Sequence, residues 1–547
     1  MKRLQVLLVV LMLALALSSS VFAQSDANTV VFAINADTQG YNAFAQTSVT
    51  NFVTSFMWPT LITTDPQTGE LLPNLASWTV SDDGLTYTFN IEPDALWSDG
   101  LPITANDVKF TLEASQSPVV GSFMAGQYNW TSINVIDDKT LEIVLPAVDC
   151  TFLGNLGWGI MPAHKFAADF SDFNTAAINT APDIAGGPYI FDEHAPDEFI
   201  RMRANPNYWK GQPQIENIVF QIIPDTEVAF QSLMGGGVDL SAITADQDPA
   251  AAANPDLTIN RFALNTVAFT TFNLADPTNP QPAYDADGNP VDQGAHPIFG
   301  DVAVRQAYAM GYDHDALLAL AGEGAVRSVG PVPPVISWAY AADLAPIAYD
   351  PEGAAALLEA AGWVDSDGDG VREKDGVPLE FQLDYPAGDS LIDGTALIIQ
   401  DQLGQIGFRV NLNGAEWQSL VGARLLAQTY DAFYLSISGG IPEPDFIANM
   451  MLNSAQDIPL AGLNIASYNN PQMDELLASG RAVPGCAAAD RAPIYQQVQA
   501  IALEDMPYDY TISTAARFVH NNRIQNITPG PWDPYGASRI EQWTLAQ

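Results

Sequence analysis

Positive charge is what this chain has least of. Its 547 residues carry 20 Lys and Arg against 64 Asp and Glu, a formal net charge of −44. A protein that neutralises phosphates needs the opposite balance, so nucleic acid is excluded as a partner. An anionic membrane surface is disfavoured for the same reason. Only six of the basic residues are Lys, which leans mildly toward adaptation to salt. Cysteine is nearly absent. Cys150 and Cys486 are the only two, and with no Cys-x-x-Cys spacing they exclude a thiolate metal or redox motif. Whether they pair is open at this level, since residues so far apart meet only through the fold.

Catalytic signatures are missing as well. The five His residues, at 164, 194, 296, 314 and 520, are scattered, and none has a second His at the i+4 spacing of a zinc helix. No Gly-rich phosphate loop ends in Lys-Ser/Thr. The nearest approach to a Gly-x-Ser-x-Gly elbow is Ser436-Ile437-Ser438-Gly439-Gly440, which has Ser where the first Gly belongs. Carboxylate pairs carry no weight in a chain this acidic. The expectation is a protein that is not an enzyme, with an exported hydrolase as the competing class.

Long hydrophobic runs are confined to the N-terminus. Lys2 and Arg3 precede an unbroken apolar run at 6–17, and Val21-Phe22-Ala23 follows. This is the layout of a secretory leader, too short to span a bilayer comfortably. Cleavage after Ala23 would start the mature chain at Gln24. No Cys follows the run, so the expectation is an exported protein of the periplasm or cell envelope, soluble and without a lipid anchor.

The whole chain is 48% apolar, and the part beyond the leader reads as folded. Alternation at Leu85, Tyr87, Phe89 and Ile91 gives a half-buried strand, with Asp83-Gly84 as the turn from 78–80. A second hairpin is read at 133–136 and 141–145. Strands at 218–223 and 238–243 flank a short helix capped by Asp225 or Thr226 and ended by Gly235, which implies a parallel pair. Residues 276–297 read as a loop. Ala303, Ala307 and Met310 are expected on the inner face of a helix. Asp313 caps the next helix, and Asp350-Pro351 starts another that stops at Gly362. The class is α/β in at least two lobes.

One motif suggests a cation. In Asp365-Ser366-Asp367-Gly368-Asp369-Gly370-Val371-Arg372-Glu373, oxygen ligands stand at positions 1, 3 and 5 with Gly at 6, as in the front of a calcium loop. Asp365, Asp367 and Asp369 would supply side chains, Val371 its carbonyl, and Glu373 the ninth position. Position 12 is Gly376 instead of the usual bidentate Glu, which lowers the expected affinity. The alternative is a plain Asp/Gly turn. No other cofactor is expected, and calcium would be structural.

Several stretches, in order, resemble one family: the extracytoplasmic solute-binding proteins of ABC importers, the peptide/nickel group known as family 5. They are residues 75–89 (LASWTVSDDGLTYTF), 97–108 (WSDGLPITANDV), Gly186-Gly187-Pro188-Tyr189, Asn205-Pro206-Asn207-Tyr208-Trp209, Val304-Arg305-Gln306-Ala307 with Asp313, and Asn469-Asn470-Pro471. Glu92 departs from the family's usual basic residue. The resemblance implies a periplasmic-binding-protein-like fold with two lobes, a hinge, an extra subdomain and a discontinuous first lobe. Residues 1–23 would be the leader, 24–270 lobe I with the subdomain, 271–510 lobe II, and 511–547 the return to lobe I. It implies a monomer that captures a small solute and delivers it to ABC permease subunits with their ATPase.

Peptide-binding members hold the ligand's amino terminus with an Asp on the second lobe. The matching position here is Gly440, and Ile437 stands where the family has Trp. Glu416 or Glu443 could substitute; otherwise the solute is an oligosaccharide or another non-peptide. The expected ligand contacts are Asn42 and Phe44 from the first lobe and Trp417, Tyr434, Ser436 and Ser438 from the second.

Overall fold

The computed structural model describes residues 28–44, 47–122 and 129–546. The expected leader and its cleavage point lie outside the described residues. Two large sheets organise the rest. One has seven strands, and at its centre runs Thr29–Ile34, buried along its whole length. Asn217–Ile222 and Leu240–Ala242 lie on either side of it, both parallel. The sequence implied that these two strands pair with each other. They flank the N-terminal strand instead, because the helix Thr226–Met234 crosses over it. Asp225 caps that helix, accepting from Val228 N at 2.9 Å.

A four-stranded antiparallel sheet stands apart in order 76–80, 86–91, 140–144, 132–137. Both expected hairpins are in it. The helix Ala105–Gln116 is set by Thr104, whose N–H donates to Asp107 Oδ2 at 2.8 Å. Asn205 Nδ2 donates to Gly187 O at 2.8 Å, so two of the motifs noted above are bonded to each other. Gly187 is required there: a Cβ would fall 2.6 Å from Phe56 O.

The second large sheet has five strands, with Thr266–Phe272 between Ala432–Ser438 and Tyr508–Tyr510. Apolar cores cover both of its faces. Ala268, Phe272 and Tyr434 join one, Val267, Phe269 and Phe433 the other. A sheet buried on both sides needs apolar residues at every position, as Ala432-Phe433-Tyr434-Leu435 shows. The helix Val302–Met310 buries Val304, Ala307 and Tyr308, one residue round from the expected face. Tyr308 sets this rotation by packing edge-on to Phe272, at 4.9 Å.

The chain passes between the large sheets twice. Leu257–Ala263 belongs to the seven-stranded sheet and Thr266–Phe272 to the five-stranded one. The first crossing is therefore at 264–265. The expected boundary at 270–271 falls inside a strand that is paired along its length. The return lies between Tyr508–Tyr510 and Ala515–Asn521. The two crossings are bonded side by side: Leu264 N donates to Thr514 O at 2.9 Å, and Ser513 Oγ to Leu264 O at 2.7 Å. Among the described residues, no helix is long and apolar enough to cross a membrane.

Candidate functional site

A cavity of about 980 Å³ opens between the lobes. Its first wall comes from the seven-stranded lobe and the subdomain: Asn51, Phe52 and Ser55 on the helix Ser48–Ser55, with Thr151, Asn155 and Trp158. Its second wall is residues 438–441 and the helix Pro444–Leu452, which presents Asp445, Phe446 and Asn449. Trp532 and Ser538, from beyond the return crossing, complete it.

The stretch matching the family's amino-terminus site is pinned to the hinge. Gly439 N donates to Asn265 O at 2.8 Å, and Asn265 Nδ2 donates to Ile441 O at 2.9 Å. A Cβ on Gly439 would lie 2.6 Å from Asn265 Nδ2. Gly440 takes φ +66, the left-handed region that favours glycine. The backbone here has taken a shape that an Asp at 440 would strain.

The acidic groups on the second wall are Glu443 and Asp445, both buried. Glu443 is held by Arg491, whose Nη2 donates to Oε2 at 2.7 Å and Nη1 to Oε1 at 3.3 Å. Arg491 also lies over the Trp338 ring, 5.2 Å from its centroid. Burial raises the Glu443 carboxyl against the pull of that guanidinium. Asp445 accepts from Tyr495 OH at 3.2 Å and stands 3.6 Å from Arg481 Nε. Burial pushes its carboxyl up to about 7, with Arg481 opposing. Arg481 also pairs with Asp149 across the cleft, at 3.2 Å.

Of the expected contacts, Ser438 lies on the cavity wall. Ser436 is exposed but does not line it. Tyr434 is 1% exposed and sits in the apolar core under the helices. Strand alternation places it there, opposite Thr270. Phe44 is likewise a core residue, stacked on Phe173 at 5.5 Å. Asn42 shapes its own turn, with Oδ1 accepting from Phe44 N at 2.9 Å. Trp417 is exposed, edge-on to Phe433 and off the cavity wall. Glu416 is exposed and off the wall too, and Glu443 is on it but spoken for by Arg491. The residues missed were Asp445 and Arg481. Their sequence signals were two: a helix start at Pro444 for Asp445, and the rarity of basic residues for Arg481.

The acidic loop at 365–373 lies far from this wall in sequence and shares no cavity residue with it. Carboxylate oxygens of Asp365, Asp367 and Glu373 come within 4.8 Å of one another. Asp369 departs from the expected set. It pairs with Arg409 at 3.0 Å and caps the turn by accepting from Val371 N at 2.8 Å. The Val371 side chain is buried in the core beneath. Asp365 accepts from Gly368 N and Gly370 N, which closes the turn without help.

Comparison with known proteins gives a consistent picture. Residues 70–458 match the model of the bacterial extracellular solute-binding proteins, family 5 Middle. A probable di/tripeptide-binding protein 5 of Pseudomonas aeruginosa is 25% identical over 544 residues, covering 94% of this chain and 95% of that protein. Di/tripeptide-binding protein 2 of the same species is 27% identical over 523 residues, covering 91% and 92%. Among solved structures, the oligopeptide-binding protein AppA of Bacillus subtilis, in complex with a nonapeptide, superposes with TM-score 0.77 at 23% identity, over 95% of this chain and 99% of that one. NikZ of Campylobacter jejuni, in complex with Ni(L-His), gives 0.79 at 23% identity, over 95% and 100%. The fold is therefore shared by binders of quite different solutes.

Proposed function

This chain belongs to the bacterial extracellular solute-binding proteins of family 5, and from that membership we propose that it captures a short peptide-like solute between its lobes and hands it to an ABC permease and its ATPase. The observation that carries this reading is the cavity, walled from both lobes. A ligand shifts an open–closed balance only by preferring one state, so contacts from both sides are what a closing trap needs. At about 980 Å³ the space is at the upper end of small-molecule sites, which run roughly 300–1,000 Å³. The di- and tripeptide-binding relatives support the solute class. Within it, position 440 is Gly and supplies no carboxylate, and Glu443 and Asp445 are held by Arg491 and Arg481, so the solute's amino group meets main-chain carbonyls of the wall instead. The protein works as an exported monomer and turns nothing over. A structural calcium in the 365–373 loop is a separate proposal.

Calorimetry with defined di- and tripeptides tests this, alongside native mass spectrometry of whatever co-purifies. The expected result is one intact peptide per chain and a smaller scattering radius when bound. Stoichiometric binding of a sugar or chelate would replace the solute class. Peptide hydrolysis without a stable complex would replace the function.

A further inference from the structure

Cys150 and Cys486 form a disulfide, with Cα atoms 5.2 Å apart. Its placement is unusual in mechanical terms. Cys150 follows the subdomain strand Thr140–Val144, and its neighbour Phe152 packs in the first lobe's core. Cys486 lies in the turn between the helices Pro471–Arg481 and Ala488–Asp505. Those helices put Met473, Leu477, Val498 and Ala502 into the second lobe's core. The bond therefore joins one lobe to the other.

It also stands at the rim of the cavity. Thr151 and Gly154, just after Cys150, line one wall, and Arg481, just before Cys486, lines the other. Cys150 N donates to Arg481 O at 2.8 Å, so the two segments already touch. The only other covalent links between the lobes, among the described residues, are the crossings at 264–265 and 511–514. These are bonded to each other and act as one hinge. A hinge leaves rotation free; a second fixed point away from it removes every rotation that would part the edges at 149–155 and 481–486.

We propose that the Cys150–Cys486 disulfide is a redox-sensitive tie that limits how far the lobes separate. This rests on the closing-trap reading above. Reduction by a dithiol takes two electrons and two protons into the pair, yielding two thiols, while the dithiol becomes its own cyclic disulfide. Cys486 is half-buried rather than sealed, so a reductant has a way in. The released lobes would then open wider.

Scattering on the native chain without solute tests the tie, and so it stands apart from the question of which solute binds. The oxidised protein, the dithiol-reduced protein and Cys150→Ser/Cys486→Ser are compared. Reduction and the double substitution should each raise the radius by about 1 Å, on a value of about 24 Å for a compact chain of this length. Re-linking the reduced thiols with bis-maleimides of increasing span should give intermediate radii that grow with the span. Equal radii in all forms would overturn the tie. So would loss of near-ultraviolet circular dichroism on both reduction and substitution, since the bond would then hold the fold and not its opening.

Discussion

Two acidic clusters on the second lobe live under opposite conditions. Glu443 and Asp445 are out of water and have guanidinium partners, Arg491 and Arg481. Asp365, Asp367 and Glu373 crowd together at the surface, and the nearby Arg409 goes to Asp369 and Glu380. With 20 basic residues for 64 acids, the chain cannot pair most of its carboxylates. Water solvates the exposed ones at little cost, whereas a buried unpaired charge is very costly. Arg481 and Arg491 stand where desolvation demands them, beside carboxylates that have been drawn inside, whereas Arg409 pairs carboxylates that water already reaches.

The strongest way to break that contrast is to remove a buried cation. Arg491→Leu leaves Glu443 buried without its partner and should destabilise the protein by about 3–5 kcal/mol. Adding Glu443→Leu removes the orphaned charge and should recover most of the loss. Urea denaturation of the single and double variants measures both. A single-variant loss under about 1 kcal/mol would mean that Glu443 escapes to water or takes up a proton, and the pairing argument would fail.

Asp445 gives a pH-dependent form of the same test. Its carboxyl is raised from 3.8 to about 7, so between those values the folded protein keeps a proton that the unfolded chain has released. The folded state then binds more protons than the unfolded one, and this group's contribution falls as pH rises from about 4 to about 7, then levels off. The expected loss across that window is on the order of 2–4 kcal/mol. Asp445→Asn cannot ionise. It should match the parent near pH 4 and be the more stable of the two above pH 7, in denaturation curves taken at both ends. Parallel curves would show that Arg481 keeps Asp445 ionised throughout.

How far the sequence reveals this arrangement depends on distance along the chain. The hairpins at 76–91 and 132–144, the cap at Asp225 and the stop at Gly362 use signals a few residues apart, and these are readable. The ordered motifs revealed the family and hence the lobes. The insertion of Thr29–Ile34 between 217–222 and 240–242 is a pairing across nearly 190 residues, and no local pattern encodes it. The disulfide, spanning 336 residues, is the same kind of fact. Tyr434 was misplaced for a different reason. In a strand covered on both faces every position is apolar, so the run Ala432-Phe433-Tyr434-Leu435 has no alternation to show which side meets the cavity. Ser438 reaches the wall because it is the last residue of its strand, opposite Thr266 at the edge of the covered region, where the chain turns toward the hinge.

The exposed cluster sharpens the comparison from its weak side. Three carboxylates whose oxygens approach within 4.8 Å repel one another, and a divalent cation would relieve that. The loop also has a closure of its own, through N–H donation from Gly368 and Gly370 to Asp365. Asp369 is committed to Arg409 and Val371, and position 12 is Gly376, so the coordination sphere lacks its usual bidentate closure. Affinity should therefore be in the weak, millimolar range of extracellular calcium sites. At a calcium concentration equal to Kd, mass action adds only about 0.4 kcal/mol. In a chain of this size that is a rise in Tm of only about 0.4 °C. Melting in calcium should exceed melting in chelator by that margin, and Asp365→Asn/Asp367→Asn should abolish the difference. Magnesium at equal ionic strength, which prefers a smaller octahedral shell, should give less. Identical melting in calcium, magnesium and chelator would leave an Asp/Gly turn whose charges are met by its own N–H groups, Arg409 and water.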